Sequence, residues 1–200
     1  MVSELEKQLD EVRTQYPLVG QHIEYLEERA KLAVIDSVTG LFSRRFFDEI
    51  LTKELAEARR TKTPISLLML DLDYFKQYND RYGHPAGDVL LGKTGEIIRT
   101  NTREMDYAFR YGGEEFVIIQ KYIKTKSQHE RRSSPRKIAM RVATEILEEF
   151  RNQMPLTISI GTTTSLGYST AEDLVSYSDK ALYRAKEKRN CIRQHPGYLP

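Results

Sequence analysis

The hydrophobic positions of this 200-residue chain change their period near residue 35. Before that point Leu5, Leu9, Val12, Tyr16, Val19, Ile23, Leu26, Ala30 and Ala33 recur in alternating steps of four and three, a repeat of about 3.5 residues that lines a helix up along a partner helix. Pro17 and Gly20 interrupt the run, and a proline in a helix interior removes a hydrogen bond and clashes with the preceding turn. Either the helix kinks there or two shorter helices meet. The seam packs either on the chain's own domain or against a second copy. From Asp36 onward, helical and strand patterns interleave. Ser43 is placed to cap a helix running to about Lys62, and Pro64 stops it. Ile65 to Leu70 is a continuous apolar run ending in Asp71, the pattern of a fully buried strand. A helix over roughly Pro85 to Asn101 follows. The alternating stretch Tyr107 to Tyr111 and the apolar run Phe116 to Ile119 then flank Gly112-Gly113, which predicts a hairpin whose tight turn uses the positive φ that glycine supplies. Lys121 to Lys137 mixes basic residues with serines and a proline, the composition of a solvated loop. A second long helix reaches about Asn152, Leu156 to Thr164 is β-prone and closed by Gly167, and a last helix spans Thr170 to Lys188.

The interleaved pattern contains no glycine-rich phosphate loop, which excludes a dinucleotide-binding Rossmann unit and a P-loop enzyme. It predicts an α/β (α+β) sandwich, a central and mostly antiparallel sheet flanked by helices, with an N-terminal helical extension. The organisation expected is a helical segment over residues 1–35 and a folded domain over 36–195. Composition narrows the partners. With 31 basic against 29 acidic residues the chain has no polyelectrolyte character, and net charge gives no support to binding a nucleic-acid polymer. Cys191 is the only cysteine, which excludes an intrachain disulfide and a cysteine-rich metal site and fits a reducing compartment. No apolar stretch has membrane-spanning length and no signal-peptide pattern opens the chain. The expectation is a soluble, cytoplasmic protein.

The chemistry concentrates at two places. Glu114 and Glu115 follow the glycine pair, and because successive strand residues point to opposite faces they cannot share one role. Asp71 ends the buried strand, Asp73 stands two positions on, and Tyr74-Phe75-Lys76, Asn79-Asp80, Gly83-His84 and Gly87-Asp88 come next. A carboxylate at a strand end, another at a hairpin tip and a nearby lysine suit a hard divalent cation that bridges phosphate oxygens. The plainer reading of Asp71 and Asp73 is helix capping.

Seven segments in this order resemble the GGDEF family of diguanylate cyclases. They are Asp36-Ser-Val-Thr-Gly-Leu-Phe-Ser-Arg-Arg45, Asp71-Leu-Asp-Tyr-Phe-Lys76, Asn79-Asp80, Gly83-His-Pro-Ala-Gly-Asp88, Arg110-Tyr-Gly-Gly-Glu-Glu-Phe116, Thr157-Ile-Ser-Ile-Gly161 and Asp179-Lys-Ala-Leu-Tyr-Arg-Ala-Lys186. The resemblance implies a fold like the palm of nucleotide polymerases and nucleotidyl cyclases, and the conversion of two GTP into cyclic di-GMP and two pyrophosphates by a homodimer. It makes Asp71, the Leu72 carbonyl and Glu114 the ligands of two Mg²⁺ ions, with Mn²⁺ as a substitute. Glu114 is also implied as acceptor of the 3′-hydroxyl proton, and Glu115 and Lys76 as further catalytic residues. Asn79 and Asp88 correspond to positions that read guanine, and His84 to a nucleotide-contacting position, or to a cap of the following helix. The N–H groups of Tyr74 and Phe75, with Lys76, Lys186 and Arg189, correspond to the triphosphate cradle. Arg103 and Asp106 form an R-x-x-D at the offset of the family's product-inhibition site.

The chain departs from the family pattern in three places. Val38 replaces a usual leucine and Ser43 a usual asparagine, both tolerable. After Ala185-Lys186 the family reads two residues, a glycine, a basic residue and asparagine, whereas Glu187-Lys188-Arg189-Asn190 lacks the glycine and brings Arg189 one position early. A catalytically silent receptor for cyclic di-GMP or GTP is the competing reading. The retained Asp71, Lys76, Glu114 and Glu115 argue against it, and Asp88 argues for guanine over adenine.

Overall fold

The computed structural model describes residues 7, 12, 14–122, 134–165 and 169–196. Leu5, Leu9, Gly167 and most of the polar stretch after Lys121 lie outside them, as do the side chains of Leu26, Ala30 and Ala33. The chain divides into two compact units, residues 1–35 and 36–200. In the first, Val12, Thr14 and Gln15 are helical, Tyr16 is not, and α1 (Pro17–Val34) begins at the proline. Pro17 thus opens a helix instead of kinking one, a position where its missing N–H costs nothing. Tyr16, Leu18, Val19 and Tyr25 are exposed.

The second unit is built on one six-stranded sheet: β1 (Phe42–Ser43), β2 (Ile65–Leu72), β3 (Tyr107–Arg110), β4 (Glu115–Lys121), β5 (Ile158–Ser165) and β6 (Ile192–Gln194), in spatial order β1-β3-β4-β2-β5-β6. The four central strands pair antiparallel and the short edge strands β1 and β6 pair parallel to β3 and β5. This is the mostly antiparallel sheet that the pattern predicts. The two edge strands carry too few residues to show a period. Helices α2 (Arg44–Thr61), α3 (Phe75–Tyr82), α4 (His84–Asn101), α5 (Pro135–Gln153) and α6 (Ala171–Lys188) cover it. Alternation along the strands sorts the core into two layers. Leu68, Leu70, Phe116, Ile118 and Ile160 pack with Leu91, Ile98, Val142 and Phe150 of α4 and α5. On the other face Leu67, Met69, Val117 and Ile119 pack with Phe47, Leu51 and Leu55 of α2 and Leu174 and Leu182 of α6. Both layers leave β2 with no exposed residue, which is why Ile65 to Leu70 reads as unbroken apolar sequence.

Helix ends follow local chemistry only in part. Thr170 and Asp173 form a reciprocal capping box at the start of α6, satisfying two otherwise orphaned N–H groups. Ser43 does occupy the N-cap of α2, yet makes no side-chain cap bond. Among the helices of this unit, α3 is the one that the sequence pattern does not show. Its eight residues are too few for a periodic signal, and they begin from Tyr74 in the left-handed conformation, φ 64°.

Candidate active site

β2 lies between β4 and β5, and the antiparallel register sets Asp71 opposite both Glu115 and Ser159. Residues directly opposite share a face, so these side chains emerge beside the last turns of α6. Leu182 is buried in the layer beneath, and one helical turn on, Lys186 reaches over the strand end. Its ammonium contacts the Asp71 carboxylate and donates to the carbonyls of Leu72 (3.1 Å) and Asp71 (3.3 Å) and to Asp73 Oδ1 (3.0 Å). The lysine therefore sits among the oxygens that the resemblance assigns to a metal.

Asp71 and Asp73, two residues apart, have opposite electrostatics. Burial pushes the Asp71 carboxyl above the usual carboxylate range, against the pull of Lys186, and the Asp73 charge pushes the same way as burial. Burial raises Asp73 too, but hydrogen bonds from Thr157, the Asn190 N–H, Lys186 and Ser159 outweigh it and leave its carboxyl below the usual range. Asp73 is fully buried and accepts from Thr157 Oγ1 at 2.7 Å, Ser159 Oγ at 2.8 Å and the Asn190 N–H at 3.0 Å. It caps no helix. Its acceptor sites are filled by the protein, a role that sequence gives no hint of, since its donors come from Thr157 to Asn190. Glu114 resembles Asp71: burial, then repulsion from Asp71, raises its carboxyl, with Lys186 opposing.

The turn that presents Glu114 differs from the tight glycine hairpin expected. Arg110 still pairs with Phe116, and the N–H groups of Tyr111 and Gly112 both donate to the Glu115 carbonyl, at 2.8 and 3.2 Å. The connection is a wider loop, and neither Gly112 nor Gly113 is among the positive-φ residues. Gly112 instead gives room to the Glu115 carboxylate, which folds over it and would have to shift if a Cβ were added, whereas a Cβ on Gly113 would meet open space. Arg110 fixes the loop. Its guanidinium donates to the Gly113 carbonyl at 2.9 Å and pairs with Asp36 at 3.2 Å, while Arg44 stacks 4.1 Å over the Tyr111 ring. Asp36 is itself held by the Thr39 N–H (2.9 Å) and hydroxyl (2.7 Å).

On α3 and α4, Asn79 and Gly87 are in contact. A Cβ at Gly87 would overlap the Asn79 amide, and Asn79 Oδ1 is buried with no hydrogen-bond partner among the described residues. An orphaned buried acceptor costs about 1–3 kcal/mol, and a donor supplied by a ligand removes that cost. Asp88, His84 and Lys76 are exposed around it, and Phe75 is buried beneath. His84 is the first residue of α4, behind Gly83 at the N-cap, and makes no side-chain cap. Tyr74 is half exposed, and the guanidinium of Arg189 lies 4.5 Å above its ring. Arg103 and Asp106 stand apart from this cluster, at the opposite end of β3 from the loop. Asp106 is buried and accepts the N–H groups of Lys121 (3.1 Å) and Arg103 (3.4 Å).

The site thus joins two partly buried carboxylates that repel each other, a main-chain carbonyl, and the Lys186 ammonium already paired with Asp71. The three oxygen donors fit a hard divalent cation. Among the described residues no helix is long and apolar enough to cross a membrane.

Known proteins share sequence and fold with this chain. Diguanylate cyclase DosC of Escherichia coli K12 is 38% identical over 167 residues, 82% of this chain and 36% of that protein. Diguanylate cyclase DgcS of Shewanella oneidensis is 37% identical over 174 residues, 86% of this chain and 56% of that protein. The chain therefore spans between about a third and just over half the length of these relatives. The coiled coil and GGDEF domain of DgcB from Caulobacter crescentus, solved with c-di-GMP, superposes with a TM-score of 0.79 at 28% identity, covering 95% of this chain and 98% of that one. The profile described as diguanylate cyclase, GGDEF domain, matches residues 33–191, and with that match over most of its length the chain belongs to the GGDEF family.

Proposed function

We propose that this protein is a diguanylate cyclase that condenses two GTP into cyclic di-GMP and two pyrophosphates. In each half-reaction the 3′-oxygen of one GTP bonds to the α-phosphorus of the other, the bond to the bridging oxygen of pyrophosphate breaks, and the hydroxyl proton leaves to a base. The observation that carries the reading is the meeting of Asp71, the Leu72 carbonyl and Glu114 at one strand end, with an orphaned amide acceptor on Asn79 in the helix that follows that strand. Asp71, Leu72 O and Glu114 would hold Mg²⁺, two ions per site in the family pattern. When bound, such ions supply charge stabilisation at the attacking and leaving oxygens.

The remaining work falls to the chain's own groups. Asn79 Oδ1 accepts a guanine N–H, and Asp88 a second. The N–H groups of Tyr74 and Phe75, with Lys76, Lys186 and Arg189, bind phosphate oxygens, where lysine serves as a mobile point charge. Glu114, whose carboxyl is held high by burial and by Asp71, is suited to take the 3′-hydroxyl proton. The open space over Gly113 leaves room for substrate against the loop, and Glu115 packs on Gly112 and shapes that loop. One site holds half of a symmetric product, so turnover needs two copies, and the exposed apolar residues of the N-terminal helix are the means of pairing. Arg103, with Asp106, binds the product as inhibitor. The test is incubation of purified protein with Mg²⁺ and GTP across protein concentrations. Cyclic di-GMP and pyrophosphate should appear at a rate that rises faster than linearly with protein. Binding of GTP without product, even in a forced dimer, would establish a receptor instead.

A further inference from the structure

Among the described residues, positive φ outside glycine occurs at Lys62, Tyr74, Arg189 and Asn190, and three of these four line one edge of the site. Arg189 is the most unusual. Its φ of 60° with ψ of 169° falls in a region that is essentially restricted to glycine, and it closes α6 where the family pattern carries a glycine and this chain does not. Asn190, at φ 47°, is in the left-handed region that asparagine tolerates better than most residues. A glycine would hold this corner without help. An arginine there requires outside contacts to keep it from relaxing.

Those contacts are present. The Arg189 N–H donates to the Ala185 carbonyl at 2.7 Å, and the Asn190 N–H to Asp73 Oδ2 at 3.0 Å. From α5, Arg151 donates through Nε to Asn190 Oδ1 at 2.9 Å and through Nη2 to the Asn190 carbonyl at 2.8 Å. This two-point grip uses the planar fork of the guanidinium, which lysine cannot reproduce. It ties down the peptide next to Arg189, whose own guanidinium then lies over Tyr74, the residue whose N–H opens the triphosphate cradle.

We propose that Arg151 is a positioning residue for Arg189: it holds the strained Arg189-Asn190 corner so that the arginine, arriving one place early in the chain, still addresses the triphosphate of GTP. The inference rests on the cyclase reading for its substrate and extends it to a residue on another helix that touches no ligand.

The experiment is a double-mutant cycle of Arg151→Ala and Arg189→Ala in the full chain. It reads KM and kcat for GTP, and in parallel the dissociation constant of an α,β-methylene analogue of GTP that cannot release pyrophosphate. Arg151→Ala is expected to raise KM and the analogue's dissociation constant about five- to tenfold, the size of one charge-assisted contact, with kcat within about twofold. Arg151→Lys should fail to rescue. In the Arg189→Ala background the same substitution should change neither constant, because the two act as one unit. An unchanged KM in Arg151→Ala, or an effect that persists undiminished without Arg189, overturns the proposal. If the wild type makes no cyclic di-GMP, the cyclase reading fails by itself, and the analogue-binding cycle still decides the role of Arg151.

Discussion

The two ends of the central sheet both withdraw acidic residues from full solvent contact and treat them differently. At the far end, Glu54 of α2 is buried and paired with Lys121 at 2.8 Å, and Asp106 takes two backbone N–H groups. Each carboxylate there is supplied by the fold. At the end where β2 stops, Asp71 and Glu114 repel each other across a partly buried gap, and Asn79 Oδ1 has no partner among the described residues. Burial therefore does not mark the site. Nor does an unmet polar group by itself, since Gln120 Oε1 at the far end is also buried without a hydrogen-bond partner among the described residues and burial raises the Asp106 carboxyl too. What marks the site is the convergence of two mutually repelling carboxylates, a main-chain carbonyl and an ammonium at one strand end.

The sharpest way to break this contrast is Glu114→Gln. Removing the carboxylate should lower cyclic di-GMP formation by about a thousandfold or more, since it takes away both a cation ligand and the proposed base. Thermal stability should stay level or rise. A carboxyl whose folded pKa is raised weakens the folded state at neutral pH, and the amide carries no such charge. A parallel loss of melting temperature would show that Glu114 is held by the fold after all.

Asp73→Ala probes the satisfied neighbour and should do the reverse, costing roughly 3 kcal/mol in chemical denaturation because buried hydroxyl and N–H donors lose their acceptor. The pH dependence separates the two residues further. With its folded pKa depressed, Asp73 contributes stability above the usual carboxylate range and loses it as pH falls through the lower folded value, so the gap between wild type and Asp73→Ala should close below about pH 4. A gap that is constant into acid would count against the hydrogen-bonded carboxylate as its cause.

How far these roles were legible in the sequence depends on the distance along the chain over which they are assembled. The four central strands, the long helices and the pairing of Asp71 with the Glu114 loop follow from local period and motif order. The loop geometry does not, because a glycine that makes room for the Glu115 side chain three residues on reads the same as one that supplies a positive φ. The packing roles of Asp73, Arg110 and Arg151 are hidden by distance along the chain. Each works through partners tens of residues away, Thr157 to Asn190, Asp36 and Asn190 respectively. Pro17 was legible as a break, while its direction, helix start against kink, required the backbone.

At the far end, Arg103 and Asp106 can be separated in the same spirit. Asp106 is engaged by backbone N–H groups, so Asp106→Ala, which leaves both donors without their acceptor, should destabilise the domain by about 1–3 kcal/mol. Arg103→Ala should leave stability within about 0.5 kcal/mol and raise the half-inhibitory concentration of added cyclic di-GMP by about tenfold, the loss expected for one charge-assisted bidentate contact. Unchanged inhibition in Arg103→Ala would remove the product site from this end of the sheet.

The smallest effect tests whether the site carries strain that the chain elsewhere avoids. Arg189→Gly restores the residue type that φ 60°, ψ 169° favours, and should raise stability by about 1 kcal/mol through relief of the backbone. It also removes the guanidinium over Tyr74, so binding of GTP should weaken as stability improves. Arg189→Ala keeps the strain and removes the same guanidinium. The two variants should therefore bind GTP alike and differ in melting temperature, with the glycine variant higher. Equal melting temperatures would mean that the corner is not strained, and that arginine occupies the place of the glycine without cost.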